Sequence, residues 1–187
     1  MRAAAACLWF SFLLAAAGCG VLPQREPPPA LHDLGPRPHH STEQVTTAWS
    51  SVTVDAPEWL QDEQIRYRLL YADPTRMRFY TRDRWLAAPS ALLAQRWSAV
   101  GDPHGYRLHI GLMDFEQLFD RPGNARAILR FRATAELPDS HQPVAERVFQ
   151  FTRATPSADA AGAVTAFAAL VDEAATSVEA WLAALPP

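Results

Sequence analysis

Hydrophobic and polar residues alternate most cleanly at Ala127, Leu129, Phe131, Ala133, Ala135 and Leu137, an eleven-residue run with an apolar side chain at every second position. A period of two places these side chains on one face of a β-strand. Arg126, Arg130, Arg132 and Glu136 mark the other face as solvated. Tyr106, Leu108, Ile110 and Leu112 give a second alternating run within a strand over 106–115, and residues 144–152 a third. Turn chemistry separates them. Asp102-Pro103-His104-Gly105 precedes the first, Pro122-Gly123-Asn124 divides it from the second, and Pro138 and Pro143 bracket the last loop. An antiparallel meander is the expected outcome.

Upstream, residues 46–55 are rich in β-branched and aromatic side chains, and Pro57 closes the run. Strands over 65–71 and 76–81 follow, with Asp73-Pro74 as the turn of a hairpin. Alternation within each puts Arg66, Arg68, Arg76 and Arg78 on one side and Tyr67, Leu69, Met77 and Phe79 on the other. Two segments carry the helical period instead. Pro89 opens the first, over 90–100, where Leu92, Leu93, Trp97 and Val100 recur at helical spacing. The second runs over 158–185, with Val164, Phe167, Val171, Ala174, Val178, Leu182 and Leu185 in one stripe, Ser157 or Asp159 as cap and Pro186 as stop. Its polar face has no basic residue, which favours packing on a sheet over lying on a membrane. The fold class expected is α/β of the α+β kind: an antiparallel-rich mixed sheet packed against two helices, one of them the long C-terminal helix.

The first 44 residues fit no such pattern. Residues 1–18 combine Arg2 with a fifteen-residue apolar run from Ala3 to Ala17, short of the ~20 that span a bilayer and suited to a secretory signal. The run ends in Ala16-Ala17-Gly18-Cys19, which resembles a bacterial lipobox, with the Cys19 thiol as the acylated new N-terminus. The alternative is an ordinary signal cleaved after a small-residue site, with Cys19 as a bystander. Gly20 in place of Asp, by resemblance to bacterial lipoproteins, points to the outer membrane. Residues 20–44 hold six prolines and only five apolar residues, too few to offset ordering entropy. This segment is expected to be an extended or disordered tether reaching roughly 80 Å at most. The organisation is then 1–18 signal peptide, 19–44 lipid-anchored tether and 45–187 folded domain.

Composition removes several function classes. The 187-residue chain carries 17 Arg, no Lys and 20 acidic residues, a formal net charge of −3. An acidic balance argues against nucleic-acid binding, and the lack of lysine excludes Schiff-base or Walker-type chemistry. Cys7 leaves with the signal, so a chain beginning at Cys19 has no free thiol and no disulfide. The sequence contains no G-x-S-x-G, H-E-x-x-H, C-x-x-C or G-x-G-x-x-G pattern. His39-His40 lack further ligands, while His104, His109, Asp102 and Asp114 need a convergence that alternation does not provide. Adjacent Asp172 and Glu173 do not face each other on a helix. No catalytic residue, metal or cofactor is expected. One feature stands out: six Arg against two Asp between Arg66 and Arg84. Arg66, Arg68, Arg76 and Arg78 are candidates to contact lipid headgroups or an acidic partner, against the alternative of ion pairs with the protein's own carboxylates.

An ordered set of segments resembles the ABC-type transport auxiliary lipoproteins, the PqiC/YmbA-like family. The set comprises His32-Asp33-Leu34-Gly35-Pro36, Trp59-Leu60, Tyr67-Arg68-Leu69, Ala72-Asp73-Pro74, Tyr80, Arg84-Trp85 and Pro89. Asp114-Phe115-Glu116, the 126–137 strand, Phe149 and the C-terminal helix with Trp181-Leu182 follow in the same layout. The resemblance implies a periplasm-facing α/β domain anchored to the outer membrane. Its implied role is accessory lipoprotein to an MCE-family protein and an ABC permease and ATPase complex that move lipid or other hydrophobic molecules. It also implies homo-oligomerisation and no catalytic residues, with Trp85 as a core anchor and Pro89 as a helix start. The alternatives are a lipid-binding module and an outer-membrane assembly lipoprotein without an MCE complex.

Overall fold

Alanine, leucine and phenylalanine on alternate positions commit the 125–135 segment to a strand with one buried face, and the rest of the sheet assembles around it. A computed structural model of the chain describes residues 27–36, 47–98, 101–139 and 142–185. Cys7, Cys19, His39-His40 and Val100 lie outside the described residues. Among the described residues, seven strands form one sheet: β1 (Ala30–His32), β2 (Thr47–Asp55), β3 (Gln64–Leu69), β4 (Asp73–Trp85), β5 (Gly101–Arg121), β6 (Asn124–Glu136) and β7 (Pro143–Ala154). Two α-helices, α1 (Pro89–Trp97) and α2 (Ala160–Ala183), join them, and a short 3-10 turn spans Glu58–Leu60.

The order across the sheet is β1-β4-β3-β5-β6-β7, with β2 also pairing β5. β5, β6 and β7 form the antiparallel meander. β2 and β3 both lie parallel to β5, beside its beginning and its end respectively. The expected mixed, antiparallel-rich sheet with two helices is the observed fold. Ala127, Leu129, Phe131, Ala133 and Ala135 are fully buried beneath the helices, as the alternation requires. Leu137 falls just past β6 and is partly exposed.

Several boundaries differ from the sequence reading, each for a local reason. β5 is 21 residues long rather than ten. Leu112 pairs with Phe131 and Asp114 with Arg130, so one extra residue, Met113, is inserted there. That bulge shifts the inward positions from Leu108, Ile110 and Leu112 to Phe115, Gln117 and Phe119, and breaks the period read from sequence. Asp102–Gly105, a turn by composition, lies within β5. Thr47 pairs with Gly101 and Trp49 with Tyr106, so the strand absorbs the surplus as an irregularity. The hairpin turn falls at 70–72 and not at Asp73-Pro74, which begin β4. Helix α1 stops at Trp97, where Ser98 turns extended.

The largest departure concerns the tether. Residues 30–32, expected to be part of a disordered linker, form β1 and pair parallel with Asp83, Arg84 and Trp85 of β4. Leu34 then enters the core. Asp33 accepts the Gly35 N–H at 2.8 Å, and Gly35 takes the left-handed conformation (φ +71°) that closes this turn. Sparse apolar content is offset here by the burial of a single leucine, Leu34, and by the pairing with β4.

Helix α2 buries a stripe wider than predicted: Ala163, Ala166, Leu170 and Trp181 join Phe167, Val171, Ala174, Val178 and Leu182. By length and composition it is the one described helix apolar enough to cross a membrane, yet this stripe is packed on the sheet. Asp159 caps it, accepting from Gly162 N at 2.8 Å. A β-carbon on Gly162 would overlap the Ser157 carbonyl oxygen and lie 2.6 Å from its hydroxyl. Alanine is normally better than glycine in a helix by ~1 kcal/mol. Here Gly162→Ala is expected to reverse the sign and cost about 1–3 kcal/mol in urea unfolding; a stabilised variant would show that the cap relaxes freely.

Candidate functional site

The sheet face turned away from the helices carries a series of cross-strand charge pairs. Directly paired residues project to the same side of a sheet, and the register sets Tyr67 beside Arg78 and Arg66 beside Phe79. The expectation that Arg66, Arg68, Arg76 and Arg78 share one face is therefore corrected: Arg78 lies on the side of Tyr67, opposite Arg66. Irregular pairing between β3 and β4 offsets the two strands, and within-strand alternation carries no information about that offset.

Two of the four candidates are committed to the protein itself. The Arg66 guanidinium is buried, pairs with Asp62 at 2.8 Å, donates to the Gln64 carbonyl at 3.2 Å and stands over the Trp59 ring. Arg68 donates to Glu116 at 2.7 Å and to the Thr75 carbonyl at 3.2 Å. Glu116 is itself buried, and burial raises its carboxyl above the ordinary glutamate range against the opposing pull of Arg68. Arg76 is exposed and Arg78 half-buried, with its Nε enclosed and unpartnered among the described residues.

Three further arginines of this face pair with carboxylates of neighbouring elements. Arg130 pairs with Asp114, Arg126 with Asp120 at 3.0 Å and Arg132 with Glu146 at 3.3 Å. Such solvated pairs contribute ~0–1 kcal/mol each and leave little net field for a ligand. Asp172 and Glu173 diverge as expected, to Arg96 and Arg153. Asp114 is held by Arg130 and so does not join His109. His109 instead contacts the Thr53 hydroxyl through Nδ1 at 3.2 Å and Asp55 through Nε2 at 3.6 Å. This hydroxyl–imidazole–carboxylate row escaped sequence reasoning because its members sit on two strands with no local signature. His109 and Asp55 are 43% and 77% exposed, and the outer contact exceeds hydrogen-bond length. A poised nucleophile needs a tighter and drier arrangement. Among the described residues, no group of three His, Cys, Asp or Glu could hold a metal ion.

Beneath the helices lies one buried polar network. The Tyr80 hydroxyl donates to Gln117 Oε1 at 2.6 Å, and the Gln117 amide reaches Thr155 Oγ1 and the Asp159 carbonyl, each at 3.4 Å. Burial, with Tyr67 nearby, raises the Tyr80 hydroxyl well above its ordinary value, so it stays a neutral donor. Gln117 thereby ties β4 and β5 to the start of α2. Trp85 and Pro89 take the structural roles expected of them, as a buried core ring and as the first residue of α1.

Among the described residues, grooves open on the surface beside both edges of the sheet. One, about 580 Å³, runs between β7 and the end of α2 and is lined by Val148, Phe149, Phe151, Trp181 and Ala184. The other, about 380 Å³, lies between β1 and α2 and is lined by Leu31, Leu34, Leu86, Val164 and Ala168.

No family model matches the chain, and no curated protein does. Solved structures are similar in fold. A crystal structure of a Xanthomonas campestris protein of the DUF330 family superposes with a TM-score of 0.65 at 20% identity, covering 81% of this chain and 94% of that one. A crystal structure of an uncharacterized protein gives 0.63 at 10% identity, covering 83% and 99%.

Proposed function

We propose that this chain is a non-enzymatic, lipid-anchored accessory protein of the cell envelope, facing the periplasm from the outer membrane and serving an ABC transporter with an MCE-family protein. In that role it helps move lipid or other hydrophobic molecules between membranes. The observation that carries the reading is the ordered series of segments from His32 to Leu182 downstream of Ala16-Ala17-Gly18-Cys19. Support of a weaker kind comes from the closed core, whose aromatic rings are packed against each other and not around a ligand, and from the ion-paired outer face. Both suit a protein that works by contact. Self-association belongs to the same reading: β7 ends the sheet with twelve residues and pairs only with β6 among the described strands.

A second reading, a lipid-binding module, draws on the aromatic groove between β7 and α2. It predicts co-purified lipid, whereas the accessory role predicts co-purification of the MCE-family protein with its permease and ATPase.

Acylation is the premise to test first. Cys19→Ala should abolish membrane partition of the mature protein and its acyl mass, because each buried CH₂ of an acyl chain contributes ~0.8 kcal/mol to anchoring. Fractionation and intact mass spectrometry read both. Unchanged partition with unchanged mass would refute the anchor, and a pull-down without an MCE-family protein would refute the partner.

A further inference from the structure

The two most exposed large apolar side chains of the described residues are Leu31 (63%) and Leu86 (57%). They are neighbours, although 55 positions apart in sequence. Leu31 pairs with Arg84 across the β1–β4 ladder, and the Leu86 N–H donates to the His32 carbonyl at 2.7 Å. Both line the groove between β1 and α2. Arg82 and Arg84 stand exposed beside them and form no ion pair with another described residue, unlike Arg66, Arg68, Arg126, Arg130 and Arg132. Two leucines flanked by two free cations make a small amphipathic patch. Such a patch suits the boundary between acyl chains and anionic headgroups.

Its position decides between possible occupants. Ala30 stands only eleven positions after Cys19, a reach of ~35 Å in extended form. The chain enters the fold at β1, so a short leash ends on the strand that bears Leu31. The opposite edge, β7, lies five strand spacings away in the sheet order, ~24 Å.

We propose that the β1–β4 edge rests on an anionic bilayer, with Leu31 and Leu86 in the headgroup layer and Arg82 and Arg84 on lipid phosphates. This rests on the acylation of Cys19 proposed above. It adds an orientation: the groove between β7 and α2 then faces away from the membrane.

The test uses the mature protein in phosphatidylethanolamine vesicles containing phosphatidylglycerol and a nitroxide-headgroup lipid. An environment-sensitive fluorophore is attached through Thr165→Cys, in the groove beside the patch, or through Val148→Cys on β7. Quenching several-fold stronger at position 165 than at 148 is expected, falling towards the 148 level in a Leu31→Glu/Leu86→Glu background that keeps its circular dichroism spectrum. Equal quenching at the two positions, or quenching unmoved by the double substitution, would overturn the proposal. Intact mass reads acylation separately. If the acyl mass is missing, the anchor reading fails, and the same vesicles added to the soluble protein still decide whether the patch binds: quenching at 165 supports it and none overturns it.

Discussion

Trp85→Ala is expected to lower unfolding free energy by about 3–5 kcal/mol, the range for truncating a buried aromatic core residue. Trp85 is 1% exposed. Its ring meets Phe115 of β5 at 5.6 Å and Phe167 of α2 at 5.8 Å, and those two rings stack on each other at 4.0 Å. One indole therefore joins three elements, and its backbone closes two more contacts, to Glu63 at 2.7 Å and to His32 across the β1 ladder. Removing the ring leaves a void between a strand end and a helix that the Gln117 network also holds, so neighbours have little freedom to collapse into it. Urea unfolding followed by near-ultraviolet circular dichroism measures the loss, with Trp59→Ala at an exposed position as the contrast. A loss below ~1 kcal/mol would show that the site repacks and that Trp85 is not the anchor described.

Arg96→Ala is the second large effect expected, about 2–3 kcal/mol. Arg96 lies on α1 with its side chain 7% exposed. It grips Asp172 of α2 with two hydrogen bonds, at 2.9 and 2.8 Å, and donates a third to the Gly35 carbonyl at 2.8 Å. Loss of the guanidinium removes one tie among α1, α2 and the β1 segment at once, leaving the Trp97 Nε1–Val171 carbonyl bond and the β1–β4 ladder. Asp172 is 37% exposed and can rehydrate, which holds the penalty below that of a fully buried pair. The local consequence is more specific than the global one. Amides of Ala30–Leu34 should exchange faster by an order of magnitude or more while those of β6 change only with global stability. Uniform acceleration throughout the sheet would argue that Arg96 is merely one stabilising contact among many.

Legibility from sequence followed the range of the forces involved. β6 and α2 were readable because a single period runs unbroken through each, and each period reports one face against one core. β5 was half readable: its period survives to Leu112 and resumes at Phe115 in the other phase, because Met113 is a bulge that depends on the partner strand. The faces of the β3–β4 hairpin were misassigned for a related reason, since the side on which Arg78 sits is set by pairing offset. β1 was invisible because three residues in a proline-rich stretch have no period, and their order comes from β4 and from the burial of Leu34. Of the candidate site, Cys19 is legible only as a local pattern. The arginine cluster was visible as charge, but its partners Asp62, Glu116 and the Thr75 carbonyl became visible only through the fold.

The stitching of Ala30–His32 onto β4 also has a mechanical meaning. Any tension applied to the chain ahead of residue 30 enters the domain through this three-residue ladder and the Arg96 grip on Gly35. Both are small compared with the thirteen-pair ladder between β5 and β6 at the centre of the sheet. The first thing to give under load is therefore the β1 stitch and not the sheet. Its release would pay out the seven residues from Ala30 to Pro36, ~23 Å of slack at full extension, while the core from β2 onward stays folded. The fold thus yields first where the N-terminal segment enters it.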